Sequence, residues 1–351
     1  MPLTAQLDAY FQQRTAQDEF SGVVLITQGD TPRYARAYGY ASCSWQVPNT
    51  LETCFDTASI TKLFTSVATL QLVDQGLLAL DTPVAECLGL PQIHPGVTVF
   101  HLLTHSSGIA DDADEEAGES YEDLWISKPN YSVTETRDFL PQFIDKPANF
   151  APGEGCRYCN VGYVLLGLLI EQASGQSYRD YVRANIFARA AMHDCDFFRM
   201  DRVNRNVAEG CDPLRDANGQ ITEWKKNIYS YPPIGSPDGG AHVTTSDLHR
   251  FLRAVQRGEL ISPALTQAFF TPQVVHTRDE NGTTMYSYGL WFALDPAGQV
   301  VFYEKEGYNA GVSGMIRYYP ALDTSVVILS NMSSGAWEPI KQVHNVLIGS
   351  Q

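Results

Sequence analysis

Ser59 and Lys62 stand three positions apart in Phe55-Asp-Thr-Ala-Ser-Ile-Thr-Lys62, at what reads as the start of a buried helix. Positions i and i+3 share a helix face, which sets the lysine ammonium beside the serine hydroxyl. A serine hydroxyl is a weak nucleophile until a neighbouring base takes its proton. A lysine desolvated against an apolar face can be that base, because burial disfavours its charged form. Ser-x-x-Lys alone is cheap, arising about once by chance in a chain this long. Two downstream segments give it meaning. Phe150-Ala-Pro-Gly-Glu-Gly-Cys-Arg-Tyr-Cys-Asn160 places Tyr158 and Asn160 after a Pro-Gly turn and before an apolar helix. Lys305-Glu-Gly307 lies between two strand-like runs.

In this order the three segments resemble the signatures of the serine β-lactamase and penicillin-binding superfamily: Ser-x-x-Lys, Tyr-x-Asn and Lys-Thr-Gly. The Tyr-x-Asn form is similar to the branch holding class C β-lactamases, DD-peptidases, D-amino-acid peptidases and family VIII esterases. Leu102-Leu-Thr-His-Ser-Ser-Gly108, Gly162 to Glu171 with Ser174-Gly175, and Gly239-Gly-Ala-His-Val-Thr-Thr-Ser-Asp-Leu248 extend the likeness through most of the chain. The resemblance implies an acyl-enzyme on Ser59, with Lys62 and Tyr158 sharing the role of base. It further implies a Tyr158 phenolate held by Lys62 and Lys305, and an Asn160 that bonds Lys62 or a substrate amide. The backbone N–H groups of Ser59 and Tyr308 would receive the oxyanion, and Gly307 would let an edge strand approach the substrate. His105 takes a structural turn position.

Two positions depart from the family pattern. Glu306 replaces the middle Thr of Lys-Thr-Gly, removing a hydroxyl and adding a charge that disfavours anionic β-lactams if it faces the cleft. Tyr308 stands where a small residue is usual, and its ring narrows the acyl site. Both shift the expectation from a β-lactamase or DD-carboxypeptidase toward an esterase, amidase or D-amino-acid peptidase on small acyl groups. A catalytically idle binding protein on this scaffold would be expected to lose Ser59, Lys62 or Tyr158, and all are present.

Positioning these groups needs a particular layout. Gly22 to Thr27 and Tyr34 to Tyr40 read as a hairpin around Asp30 and Pro32. Strand-like runs return from Tyr288 to Ser330, separated by turns at Asp295-Pro-Ala-Gly298 and Pro320-Ala-Leu-Asp323. Between them, Lys62 to Leu77 and Tyr163 to Ala173 are apolar nearly all round, as buried helices are. The expected fold is α/β (α+β), β-lactamase/transpeptidase-like: an antiparallel sheet flanked by helices from residues 1–58 and 236–351. A mainly helical lobe spans 59–235, with the active site in the cleft between lobes.

Composition excludes some partners. With 40 acidic against 24 basic residues, the net charge of −16 argues against nucleic acid or an anionic membrane. The run Asp111-Asp-Ala-Asp-Glu-Glu116, continued by Glu119, Glu122 and Asp123, reads as a solvated loop; the sharper alternative is a cleft-flanking loop that repels anions. No apolar run approaches a membrane span, and Leu3, Leu7, Tyr10 and Phe11 form one face of an N-terminal amphipathic helix rather than a signal peptide. Seven cysteines without framework spacing imply reduced thiols and a cytoplasmic chain. Cys156-x-x-Cys159 has no second ligand pair and reads as two small buried residues. Serine, lysine and tyrosine suffice for the chemistry, so no metal or organic cofactor is expected. The expected partners are small esters, amides or D-amino-acid peptides, with a β-lactam as a covalent adduct.

Overall fold

Gly22 to Thr27 are all buried, which a strand achieves only when both faces of its sheet are covered. In the computed structural model, which describes residues 3–280 and 282–349, helix α1 (Leu3–Ala16) leads into the hairpin β1 (Gly22–Gln28) and β2 (Thr31–Tyr38). Next come the central helices α2 (Lys62–Asp74) and α3 (Asn160–Ser174), then α4 (Thr245–Gln256). Six strands follow: β3 (Val274–Asp279), β4 (Gly282–Tyr286), β5 (Trp291–Leu294), β6 (Val300–Asn309), β7 (Val312–Tyr319) and β8 (Thr324–Ser330). Helix α5 (Trp337–Ile348) ends the described chain.

These strands form one antiparallel sheet in the order β2-β1-β8-β7-β6-β5-β4-β3. The first strand thus pairs with the last, Val24 opposite Ile328. The period of two divides the side chains between two cores. Val23, Leu25, Val327 and Leu329 enter the larger core shared with α2 and α3. Val24, Ile26, Val326 and Ile328 face a second core with Leu7 and Phe11 of α1 and Ile340 and Val343 of α5. In α2 every residue from Lys62 to Leu72 is buried. Such a helix cannot shift without disturbing both its sheet and helix contacts, so it is a rigid carrier for a catalytic group.

Three sequence readings change. Val274–Asp279 and Gly282–Tyr286 are strands that residue pattern did not suggest, because this Thr-rich end of the sheet is largely half-buried or exposed and lacks an apolar run. The stretch 59–235 contains a hairpin, Cys211–Arg215 with Ile221–Lys226, turned by Asp216-Ala-Asn-Gly219. Finally, Cys43 and Cys211 are disulfide-bonded across 168 positions, which corrects the expectation of seven reduced thiols. Partners so far apart leave no spacing signal. The cytoplasmic expectation loses its cysteine argument. Among the described residues, no helix is long and apolar enough to cross a membrane.

Candidate active site

Ser59 lies on a tight 3-10 turn, Ala58–Thr61, and Lys62 is the first residue of α2. Ala58 holds a left-handed backbone conformation, φ 42°, which an L-residue adopts only where its surroundings compensate. Its N–H donates to Asp56 Oδ1 at 2.7 Å, and its carbonyl accepts from Gly240 N at 3.3 Å. The turn is thereby pinned from both sides and presents Ser59 half-buried at its tip. Lys62 has no exposed surface. Its Nζ donates to Ser59 Oγ at 3.1 Å, Asn160 Oδ1 at 2.7 Å and the Asp238 carbonyl at 2.6 Å.

Tyr158 comes from the helical side, two residues ahead of Asn160, which starts α3. Its hydroxyl donates to Ser59 Oγ at 2.8 Å. Helix α3 has no capping side chain of its own at Cys159, so its first N–H groups need an acceptor from elsewhere. Asp111 supplies it, accepting from Asn160 N at 2.7 Å, Val161 N at 2.9 Å and Asn160 Nδ2 at 3.1 Å. Sequence reasoning missed this residue by treating the acidic run as solvated. Asp111 and Asp112 are in fact 5% and 2% exposed. An apolar helix beginning without Ser, Thr, Asp or Asn at its cap was the available signal.

His105 supports the tyrosine from behind. Its ring centroid lies 4.6 Å from that of Tyr158, and its Nδ1 accepts from Cys159 N at 3.2 Å. Burial and the nearby lysines hold its pKa well below the usual histidine range, so the ring is neutral. Cys156 and Cys159 donate to the carbonyls of Thr104 and Ile109. Burial first, then Asp111, pushes the Cys159 thiol far up, which makes it a poor target for oxidation or alkylation.

Lys305 reaches the same point from β6, with Nζ 3.4 Å from Tyr158 Oη. Beyond Glu304, β6 has outrun its partner β5 but stays paired with β7 to Asn309. Residues 305–309 are therefore a local edge facing the cleft within an interior strand. Packing alone is enough to require glycine at 307. A Cβ there would lie 2.1 Å from the Thr57 carbonyl oxygen, so only glycine lets β6 seat against the nucleophile turn. Lys305 and Gly307 are buried while Glu306 and Tyr308 are exposed, the alternation a strand imposes. Both exposed residues line the cleft.

Burial sets the charges. It lowers the pKa of Lys62, with Asp238 and Asp111 acting in opposition. It brings Lys305 down to about 7, helped by repulsion from Lys62. Desolvation, followed by the nearby Glu115 carboxylate, holds the Tyr158 phenol well above its ordinary range, against the Ser59 hydrogen bond. Burial thus favours the neutral phenol of Tyr158 over the phenolate that the resemblance implies. Both lysines are biased toward the free amine by burial, and a free amine beside Ser59 is a group able to accept its proton.

These groups open into a cavity of about 750 Å³ lined by Ser59, Tyr158, Asn160, Tyr286, Glu306 and Tyr308, among others. One wall is the acidic segment, with Glu115, Glu116, Glu119 and Glu122 all on it. Glu116 Oε1 accepts from Tyr158 N at 3.0 Å.

Residues 7–349 match the family model described as Beta-lactamase. The chain belongs to the Beta-lactamase family. Within that family it is similar to Penicillin-binding protein 4* of Bacillus subtilis (strain 168), 28% identical over 363 residues, covering 98% of this chain and 76% of the relative. It is also similar to Esterase EstB of Burkholderia gladioli, 35% identical over 283 residues, covering 72% and 70%. The crystal structure of a penicillin binding protein from Bacillus halodurans matches with a TM-score of 0.88 at 38% identity, covering 97% of this chain and 99% of that one. The fold is therefore the β-lactamase/transpeptidase fold, and the chain is a serine hydrolase of the β-lactamase family.

Proposed function

We propose that this protein hydrolyses small esters, amides or D-amino-acid peptides through an acyl-enzyme on Ser59. The observation that carries the reading is the convergence of Lys62 Nζ at 3.1 Å and Tyr158 Oη at 2.8 Å on one serine oxygen. In the first step, Ser59 Oγ attacks the carbonyl carbon and its proton passes to the free amine of Lys62. The oxyanion is received by the backbone N–H groups of Ser59 and Tyr308, each such donor being worth a few kcal/mol. Tyr158, already a phenol, protonates the leaving group, and the proton that Lys62 took from Ser59 then restores the phenol. Water then attacks the acyl-enzyme with the same groups as base. Asn160 orients Lys62, and Lys305 keeps a positive charge beside the tyrosine as its proton leaves.

The placement of Glu306 on the cavity wall favours this reading over a β-lactamase, because the β-lactam carboxylate would meet another carboxylate. The similarity to both a penicillin-binding protein and an esterase supports acyl transfer without choosing the acyl group. The test compares a short-chain p-nitrophenyl ester with a chromogenic cephalosporin, wild type beside Ser59→Ala. Ester turnover lost in the variant, with slow cephalosporin hydrolysis, is expected. Fast cephalosporin turnover would reverse the preference, and turnover surviving in Ser59→Ala would remove the nucleophile.

A further inference from the structure

The cavity has reason to be a substrate site apart from its charge: Ser59 and Tyr158 line it in hydrogen-bond contact, with the buried Lys62 bonded to Ser59 from behind the wall. Its walls carry an additional pattern. Among the described residues no Lys or Arg lines it, while Asp56, Glu115, Glu116, Glu119, Glu122, Asp238 and Glu306 do. Two of these carboxylates are neutralised from outside, Glu122 by Lys225 at 2.7 Å and Glu116 by Arg157 at 3.9 Å. Asp238 and Asp56 accept hydrogen bonds from Ser236 Oγ and Ala58 N, and Glu119 accepts from Asp114 N.

Glu115 and Glu306 differ from the rest. Glu306 makes no hydrogen bond or ion pair among the described residues, and Glu115 has only a long 3.5 Å contact from Asn160 Nδ2. They come from opposite lobes, one on the acidic segment and one on β6, and both line the cavity holding Ser59. Both also act on the buried groups at its floor, since Lys305 feels each of them. Tyr121, Tyr231, Tyr308 and Trp337 add aromatic faces to the same walls, and such faces attract cations. The positive charges of the site are withdrawn to its floor, where Lys62 and Lys305 are 0% and 4% exposed. A ligand entering the cavity therefore meets negative charge and aromatic rings before it meets either lysine. Low-dielectric walls of one sign focus the field on an incoming charge.

We propose that this cleft selects substrates bearing a positive charge, a primary or quaternary ammonium near the scissile carbonyl, and that Glu115 and Glu306 hold that charge. The selection rests on the acyl-enzyme reading above and narrows it to cationic esters and amides. It also gives Glu306 a positive task beyond excluding β-lactam carboxylates. The two glutamates are specificity residues; the bond-breaking steps stay with Ser59, Lys62 and Tyr158.

The experiment uses isosteric substrates. At the acyl end, the p-nitrophenyl esters of 4-(trimethylammonio)butanoate, 5,5-dimethylhexanoate and monoglutarate present a cation, a neutral group of the same shape and an anion. At the leaving-group end, acetylthiocholine is paired with S-(3,3-dimethylbutyl) thioacetate. At low salt the cation is expected to exceed its neutral isostere in kcat/KM by about tenfold or more at one end, with the anion slowest; this is the scale of one partly shielded charge contact. The ratio should fall toward one as ionic strength rises. Glu306→Gln and Glu115→Gln should each lower the cation-to-neutral ratio severalfold, chiefly through KM. Asp81→Asn, which removes an exposed carboxylate outside the cavity, should leave that ratio unchanged.

Equal kcat/KM for cation and isostere at both ends overturns the proposal while leaving the acyl-enzyme intact, provided Ser59→Ala abolishes all turnover. A ratio that responds to Asp81→Asn as strongly as to Glu306→Gln also overturns it, since net charge would then be the cause. If neither the esters nor the anilides of the same acids are hydrolysed, the acyl-enzyme reading has failed. Calorimetric titration of Ser59→Ala with the anilides of the same acids then decides the charge question alone, and tighter binding of the neutral anilide sinks it.

Discussion

The floor and the rim of this cleft are built on opposite electrostatic terms. On the floor, Lys62 and Lys305 are nearly inaccessible, and both have their pKa values lowered chiefly by burial. Each of Lys62's three hydrogen bonds goes to an oxygen of the site. On the rim, Glu306 and Tyr308 are exposed and Glu115 is nearly unpartnered. On the floor, desolvation disfavours the charged form of both lysines and brings Lys305 down to about 7. The rim stays in contact with water, where its charges can attract or repel an incoming molecule. Substitutions on the floor should therefore change the rate of chemistry, while those on the rim should change which molecule is processed.

The sharpest way to break that contrast is Lys62→Met, which keeps the length and apolar stem of the side chain and removes its amine. Ester kcat/KM should drop by about 10²–10⁴, the range of a lost general base, with far-UV circular dichroism unchanged. A loss below tenfold would move the base elsewhere. Gly307→Ala probes the seam joining the two. Its Cβ would lie 2.1 Å from the Thr57 carbonyl oxygen, so β6 or the nucleophile turn must shift. Overpacking of this kind costs about 1–3 kcal/mol, readable in urea denaturation, together with loss of ester turnover. Wild-type stability in this variant would show that the turn is not clamped by β6.

Asp111 tests whether part of the acidic segment belongs with the floor. Burial pushes its carboxyl up to about 6, so it binds its proton more readily folded than unfolded. Its contribution to stability accordingly falls as pH rises from about 4 to about 6. Asp111→Asn abolishes that slope, and it also relieves Asp112, whose carboxyl is raised by burial and by Asp111. The variant should lose about 0.5–2 kcal/mol of capping at all pH values. Its melting temperature relative to wild type should nevertheless improve between about pH 4 and about pH 7. A difference that is flat with pH would place Asp111 in water with the rim. The smallest effect is expected for Glu306→Thr, which should raise hydrolysis of an anionic cephalosporin severalfold, mainly through KM, with little change for a neutral ester. No change in either would detach Glu306 from substrate selection.

Much of the site was legible in the sequence because its chemistry is local or nearly so. Ser59 and Lys62 are three residues apart, Tyr158 and Asn160 two apart, and the apolar helices behind them announce burial. Lys305 could be named from its motif, and the structure brings it within 3.4 Å of Tyr158 Oη. What failed to show depended on long-range closure. The acidic run reads as solvated because nothing in Asp111 to Glu116 records that Asp111 caps a helix beginning 49 residues later. The Cys43–Cys211 bond spans 168 positions and left no pattern. The pull of burial and of Glu115 toward the neutral phenol of Tyr158 did not show either, since the motifs record only the two neighbouring lysines.

The sequence by itself set Ser59, Lys62, Tyr158, Asn160 and Lys305 in their order, with a strand–helix–strand layout able to bring them together, since residue type and short spacing carry that information. Only the tertiary structure decided which charges are buried and which remain in water. It alone made the Lys305–Asn309 half of β6 an edge, turned Gly307 toward Thr57, and set Glu115 and Glu306 on the walls of one cavity. Desolvation is a property of everything packed around a group, and no local pattern encodes it.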